Sequence, residues 1–386
     1  MADVAYIGGG SITVNSGSTS YSLLNSDITP RESSSSAGMQ VLCRTAGTLS
    51  RLKVYVQTNT LNDSTTVSTY ATTTLTVSIG AGATGAFTDT THTLAIAAGD
   101  TCGYLIDTTA SASGSIVIRY INSVFSASSN TSARHVCHLY SASADTISGV
   151  SKTFYFPLSG YALGGKNVSK AEAFMKCNMN SAGTLKNLIG YLTARSGTKS
   201  VTLTSRKGGA AGNQTCTLSG LGSTEDTVNT DSISADNDVN FLISTPADYG
   251  TDTASVTYIA YDFETTNSTW NVIAANYSGV TQNANTSYYY TLGGNISADS
   301  TEANVKTTLG VDGTCRATNL YIMLSANSVS ATSTFRLRQN GANTSLSASI
   351  TASTTGKFED TTNTVTLANT DDLNYLLTTG ASRFAV

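Results

Sequence analysis

Three stretches decide the fold of this chain: Thr84-Gly85-Ala86-Phe87-Thr88-Asp89-Thr90-Thr91, Gly222-Ser223-Thr224-Glu225-Asp226-Thr227 and Thr355-Gly356-Lys357-Phe358-Glu359-Asp360-Thr361-Thr362. They repeat one pattern, a Gly or Thr turn leading into a hydroxyl-rich run with an acid at its centre. Asp89 and Asp226 stand 137 residues apart, and Asp226 and Asp360 stand 134 apart. A period this long marks tandem copies of a whole module.

Other landmarks recur around these stretches in a fixed order. Ala46-Gly47-Thr48-Leu49, Ala182-Gly183-Thr184-Leu185 and Asp312-Gly313-Thr314-Cys315 precede them. Tyr104-Leu105-Ile106, Phe241-Leu242-Ile243 and Tyr375-Leu376-Leu377 follow them. Leu24, Leu158 and Leu292 are spaced by 134 each. Each copy is expected to close with an alternating strand: Ile116–Ile121, Ser255–Tyr261 and Arg383–Val386. The pattern predicts three modules, at 1–127, 128–265 and 266–386, joined by the short polar runs Ser126–Thr131 and Thr265–Thr269. Each is long enough to bury its own core.

Within a module the hydrophobic period is two. Leu52, Val54 and Val56 alternate with Lys53 and Tyr55; Leu75, Val77 and Ile79 alternate with Thr76 and Ser78; Phe335 and Leu337 alternate with Arg336 and Arg338. That is the pattern of a sheet packed on one face. Asn340-Gly341 and Lys207-Gly208-Gly209 read as hairpin tips between such runs. About eight to ten short strands per module, with no capped amphipathic helix, predict an all-β chain of three tandem antiparallel β-sandwiches. The module length favours a jelly roll. An immunoglobulin-like sandwich is the alternative, but the Cys…Trp…Cys spacing is missing. Val168–Ala173 is compatible with a short helix, or with strand and loop.

The composition suits sheets and excludes several functions. Only 12% of the 386 residues are charged, hydrophobic residues make up 40%, and Tyr (19) outnumbers Phe (10). Net charge is −4 with no basic run, so the electrostatic footprint of a nucleic-acid binder is absent. No apolar stretch approaches the roughly 20 residues of a membrane helix. The start, Met1–Tyr6, has neither a basic nor an apolar leader region, so folding in a cytoplasm is expected. Of the six cysteines, only Cys43 and Cys177 match between modules, 134 apart. A framework disulfide would recur in every module, so buried free thiols are expected.

Candidate chemistry is sparse. Acids recur in each module: Asp89 and Asp100; Glu225, Asp226 and Asp238; Glu359, Asp360, Asp371 and Asp372. Carboxylates can gather Ca²⁺, and Asp89, Asp226 and Asp360 would be its first ligands. A spacing of 11–12 residues spans a whole strand, however, so turn-forming Asp at strand ends is the preferred reading, with no metal and no cofactor. His135-Val136-Cys137-His138 lacks the four ligands of a structural zinc site and has no counterpart in the other modules. With three His in the chain, no nucleophile elbow and no converging carboxylate pair, no catalytic residue is assigned. Gly8-Gly9-Gly10 reads as a loop rather than a phosphate cradle. Tyr288-Tyr289-Tyr290 could stack on sugars, but its match to Phe154-Tyr155-Phe156 and Tyr21 reads as a core strand.

The "GTL" run, the "NGA" hairpin at Asn340–Ala342, "TGKFEDTTNTV" at Thr355–Val365 and "DLNY" at Asp372–Tyr375 together resemble modules of tailed-bacteriophage virion surface proteins, among them capsid decoration proteins, head fibres and tail adhesins. The resemblance covers all three modules; the second departs most, lacking the Phe of "GxF". It implies a β-sandwich or jelly roll without catalytic residues, on the virion surface, assembled in the host cytoplasm. The implied role is a non-enzymatic capsid decoration, auxiliary or head-fibre protein bound to the major capsid protein lattice. The alternative is an adhesin binding a host glycan or receptor. Partners are then the major capsid protein or other virion proteins, self-association as a trimer, or a glycan. Three modules could mimic a trimer at a three-fold site or form a rod with one anchoring module; their divergence favours the rod.

Overall fold

A computed structural model describes residues 4–24, 39–70, 74–129, 135–143, 146–158, 160–162, 172–179, 181–266, 281–293, 298–308 and 314–381. The chain is all-β, with most of the described residues in strands. Among the described residues helix is limited to single 3₁₀ turns at Glu172–Phe174 and Glu302–Asn304.

The first module comprises β1 (Val4–Asn15), β2 (Thr19–Ser22), β3 (Val41–Leu42), β4 (Gly47–Asn59), β5 (Thr65–Tyr70), β6 (Thr76–Ile79), β7 (Gly85–Ile96), β8 (Thr101–Asp107) and β9 (Ser115–Ala127). They form two sheets, β1-β9-β4-β7 and β2-β8-β5-β6, with β3 pairing β8. Setting aside β3, the eight main strands run 1-8-3-6 in one sheet and 2-7-4-5 in the other. This is the jelly-roll order, in which every connection but the one between the fourth and fifth strands crosses from one sheet to the other.

The second module comprises β10 (His135–Ser143), β11 (Thr146–Ser148), β12 (Thr153–Phe156), β13 (Gly160–Ala162), β14 (Cys177–Asn178), β15 (Gly183–Ser196), β16 (Val201–Lys207), β17 (Ala210–Leu218), β18 (Gly222–Ile233), β19 (Asp238–Ser244) and β20 (Thr253–Thr265). Its sheets, β10-β20-β15-β18 and β12-β19-β16-β17, repeat the order, and β13 adds a parallel strand beside β10. The third comprises β21 (Ser287–Tyr290), β22 (Thr307–Thr308), β23 (Thr314–Leu324), β24 (Ser333–Gln339), β25 (Ala342–Ile350), β26 (Gly356–Ala368) and β27 (Asp372–Thr378). Its sheet β21-β27-β24-β25 and the pair β23-β26 fit the same scheme. The predicted closing strand Arg383–Val386 lies outside the described residues.

Every described strand pairing falls within one of the three sequence segments. By compactness the chain forms two units: Met1–Ser278 with Gly293–Asn295, and Gly279–Leu292 with Ile296–Val386. The first unit holds two jelly rolls, whose buried side chains form one apolar cluster from Ile12 to Phe263.

Period-two residues behave as their spacing requires. Leu52, Val54, Val56, Leu75, Val77 and Ile79 are buried, as are Phe335 and Leu337. Gly208-Gly209 and Asn340-Gly341 each form a two-residue hairpin with both φ angles positive, which matches the right-handed twist of the flanking strands. Leu24, Leu158 and Leu292 are buried in all three modules. Gly8-Gly9-Gly10, expected as a loop, instead lies within β1, where Gly8 and Gly9 pair with Ile121 and Tyr120. Among the described residues Cys43, Cys102, Cys177 and Cys216 are buried and Cys315 is half-buried; the side chains of Cys137, His135 and His138 lie outside the described residues.

One alignment shifts. Gly47 pairs with Ile96 and Gly183 with Ile233, but it is Cys315, not Gly313, that takes the equivalent place opposite Leu367. A Cβ on Gly47 would come within 2.5 Å of the Phe125 ring, and one on Gly183 within 2.6 Å of the Phe263 ring. The glycines admit an aromatic ring from the closing strand. Gly183→Ala is therefore expected to destabilise the second module by about 1–3 kcal/mol, the usual cost of overpacking a filled core. Urea unfolding monitored by circular dichroism measures this; an unchanged midpoint would refute the packing argument.

Candidate functional site

The recurring acids come to one place in every module. In β4, β15 and β23 a residue with positive φ (Arg51, 57°; Asn187, 56°; Asn319, 55°) forms one side of a bulge. Opposite it, three residues follow the acid in β7, β18 and β26, so Asp89 faces Leu52, Asp226 faces Leu188 and Asp360 faces Leu320. The bulge frees backbone N–H groups, and the carboxylate collects them.

The Asp89 Oδ1 accepts from the backbone N–H of Thr91 and His92, both at 3.1 Å, and its Oδ2 accepts from Thr76 N–H at 3.0 Å. Asp226 accepts from Val228, Asn229 and Thr215 at 3.1, 2.9 and 2.9 Å. Asp360 accepts from Thr362, Asn363 and Ser347 at 3.1, 3.0 and 2.8 Å. Thr76, Thr215 and Ser347 belong to the opposite sheet, so each carboxylate ties the two sheets together along one edge. A side chain three residues on completes each set: Asn229 Nδ2 at 3.0 Å, Asn363 Nδ2 at 2.9 Å and, in the first module, His92 Nδ1 at 3.0 Å from Oδ2.

These acids therefore sit in mid-strand bulges rather than at strand ends. The turn role falls to a second set: Asp100 and Asp371 accept from the N–H of Ala97 and Ala368 at 2.7 Å. In the second module the neutral Asn237 does this for Ser234, in place of the neighbouring Asp238.

Burial alone would raise these pKa values. The backbone N–H donors and the His92 ring outweigh it and hold Asp89 down at about 2; Asp226 and Asp360 are lowered by the equivalent set. A carboxylate held ionised, with both oxygens accepting N–H donors, is a poor proton acceptor and a poor cation ligand. Among the described residues, no group of three or more His, Cys, Asp or Glu could hold a metal ion. The Cys216 thiol, buried and donating to Leu188 O, is pushed up to about 12, which removes it as a nucleophile.

Three further constellations carry no repeat signal strong enough to read in sequence. Thr108, Thr245 and Thr379 each accept from a loop N–H (Ser18, Lys152 and Thr286, at 3.1, 2.8 and 2.9 Å) and donate to loop carbonyls. Thr is too common in this chain for that trio to stand out. Arg206 bridges Glu172 in a two-point pair, donates to Gly209 O and lies 5.7 Å from the Tyr155 ring; Arg338 does the same with Glu302, Gly341 and Tyr289. In the first module Tyr70 occupies the arginine's place and packs edge-on against Tyr21 at 5.2 Å. Of the run Tyr288–Tyr290, expected as a core strand, Tyr290 is buried, while the Tyr289 ring, like its counterpart Tyr155, is engaged by arginine.

The third constellation joins the first two modules. Arg44 pairs with Glu225, Thr45 donates to Asp262 at 2.9 Å, and the Leu42 backbone hydrogen-bonds the Tyr258 hydroxyl. Asn187, the positive-φ residue of the second module's bulge, donates to the same Asp262 at 2.7 Å. The bulge thus helps set the receiving surface.

The fold and its recurring site define an all-β protein of repeated jelly rolls whose carboxylates serve architecture. No family model and no curated protein matches the chain. Among solved structures, the dimeric latent PorU of Porphyromonas gingivalis aligns with 89% of this chain and 33% of its own length, at 9% identity and a TM-score of 0.22.

Two outcomes follow. Because the folded pKa of Asp89 is depressed, its stabilisation is present above the unfolded value of about 3.9 and is lost as pH falls towards 2. That amounts to about 2 kcal/mol, and Asp89→Asn should flatten this part of the stability–pH curve measured by denaturant titration. Melting with and without EDTA should agree within about 5 °C, which for a domain of this size corresponds to roughly 1 kcal/mol; a larger fall would reveal a bound cation.

Proposed function

We propose that this chain is a non-enzymatic structural protein of a tailed-bacteriophage virion, a capsid decoration, auxiliary or head-fibre protein that binds the major capsid protein lattice. One observation carries this reading. The chemically capable residues that recur in every module, the acids of the bulges, are all engaged by backbone N–H groups. What remains for function is surface, and the surface is dominated by hydroxyl and amide side chains.

The architecture supports the same reading. A chain of sandwiches with few charges and little helix suits a particle exterior exposed to proteases and dilution. No helix among the described residues is long and apolar enough to cross a membrane. The second module projects Val228 (86% exposed) from its bulge and Leu221 (66%) from the turn before β18, where a bound partner could cover them. Val228 stands where the other modules carry Thr91 and Thr362.

The test is labelling of intact particles with an antibody against the chain, imaged by electron cryomicroscopy. Label on the capsid shell or on fibres rising from it is the expected result. Label confined to the tail would favour the adhesin reading, and particles without label would overturn both.

A further inference from the structure

The outward face of the strand-1, -8, -3 and -6 sheet is covered in the first two modules. Tyr120, Asn122 and Val124 of β9 are each 2% exposed; Ile189, Tyr258 and Asp262 in β15 and β20 are each 1% exposed. In the second module one cover is identified: the Leu42–Thr45 loop of a neighbouring jelly roll, which brings Arg44 to Glu225. In the second module that face therefore receives another module of the same kind.

Among the described residues, the third module presents the β23–β26 part of the corresponding face, with the acid of Glu225 retained as Glu359. Matching the bulges places Tyr321 at the position of Ile189, Met323 at that of Tyr191 and Glu359 at that of Glu225. Met323 is 37% exposed, and the Glu359 side chain is 42% exposed beside Lys357 at 2.8 Å. Further along β23, on the same face, Arg316 is exposed and donates to Thr364 Oγ1 at 3.0 Å. Thus one strand pair carries an arginine on one side of its bulge, an acid on the other, and apolar surface beside the acid. Such a face complements itself when rotated by a two-fold axis, because each copy then brings its Arg316 to the other's exposed Glu359, beside the Lys357 that already pairs with it.

We propose that β23 and β26 form a self-association surface that meets the same surface of a second copy of this chain, with Arg316 of each copy paired to Glu359 of the other. Strands of 11 and 13 residues extend roughly 36–43 Å, and two strands side by side are about 10 Å wide, giving on the order of 400 Å² per copy. That is the range of weak, reversible contacts. Association is therefore expected at tens of micromolar or above, and should weaken as salt screens the exposed pairs.

Sedimentation velocity on the full chain, up to about 100 µM, tests this. Wild type should form a dimer. Arg316→Glu and Glu359→Arg should each be monomeric across the range, and the double charge reversal should restore the dimer. Met323→Glu, which leaves both charges in place, should weaken association by at least tenfold. Melting curves identify any variant that fails to fold; Glu359→Gln replaces such a reversal and should weaken the dimer without restoring it in combination. A monomeric wild type, a larger closed oligomer, or a dimer indifferent to these substitutions would overturn the proposal.

Discussion

Each jelly roll depends on a carboxylate that does the work of a missing backbone acceptor. The two sheets of a sandwich are held mainly by side-chain packing, so their edges leave N–H groups without ladder partners. Asp89, Asp226 and Asp360 resolve this at one edge of each module. Each accepts two donors from its own bulge and one from the facing strand of the other sheet. Burying a charge is costly, but three aimed donors compensate it and lower its pKa. The bulge also kinks an outer strand, and an irregular edge is a poor template for pairing with other chains.

Around this constant feature the modules diverge. The second and third share the Arg–Glu–Tyr clamp, whereas the first uses a tyrosine pair. Beside the clamp arginines, Asn240 and Asn374 are fully buried, where the first module has Gly103. A Cβ at Gly103 would lie 2.4 Å from Met39 O, so the loop before β3 lies too close for any side chain there. In the second module Ser205, Gln214 and Asp231 form a buried polar trio, with Asn213 N–H at 2.6 Å from Asp231. Its positions in the third module are Leu337, Leu346 and Val365. One backbone thus carries apolar or polar packing at this corner, provided that every buried carboxylate meets its donors.

Much of the fold was legible in advance because β-structure writes a period of two and a repeat writes its own spacing. Leu52-Lys53-Val54-Tyr55-Val56 declares which side chains are buried, and the recurrence of Asp89 at Asp226 and Asp360 declares that the position matters. The role of that position was not legible. An Asp followed by two hydroxyl residues reads equally well as a turn, and only the pairing of β4 with β7 shows three residues bulging opposite Arg51. The equivalence of Cys315 with Gly47 was hidden for a similar reason: the matching Gly-Thr dipeptide lies two residues earlier.

Sequence alone determined the class of structure, the number of copies and the identity of the recurring acids, because these follow from local alternation and linear spacing. Tertiary structure decided what the acids do, which arginine meets which carboxylate, and how the first two modules join. Asp89 and Thr76 are 13 residues apart in different sheets, and Arg44 and Glu225 are separated by 181 residues. Contacts of that kind depend on where strands lie after the jelly roll has closed, and no local pattern encodes them.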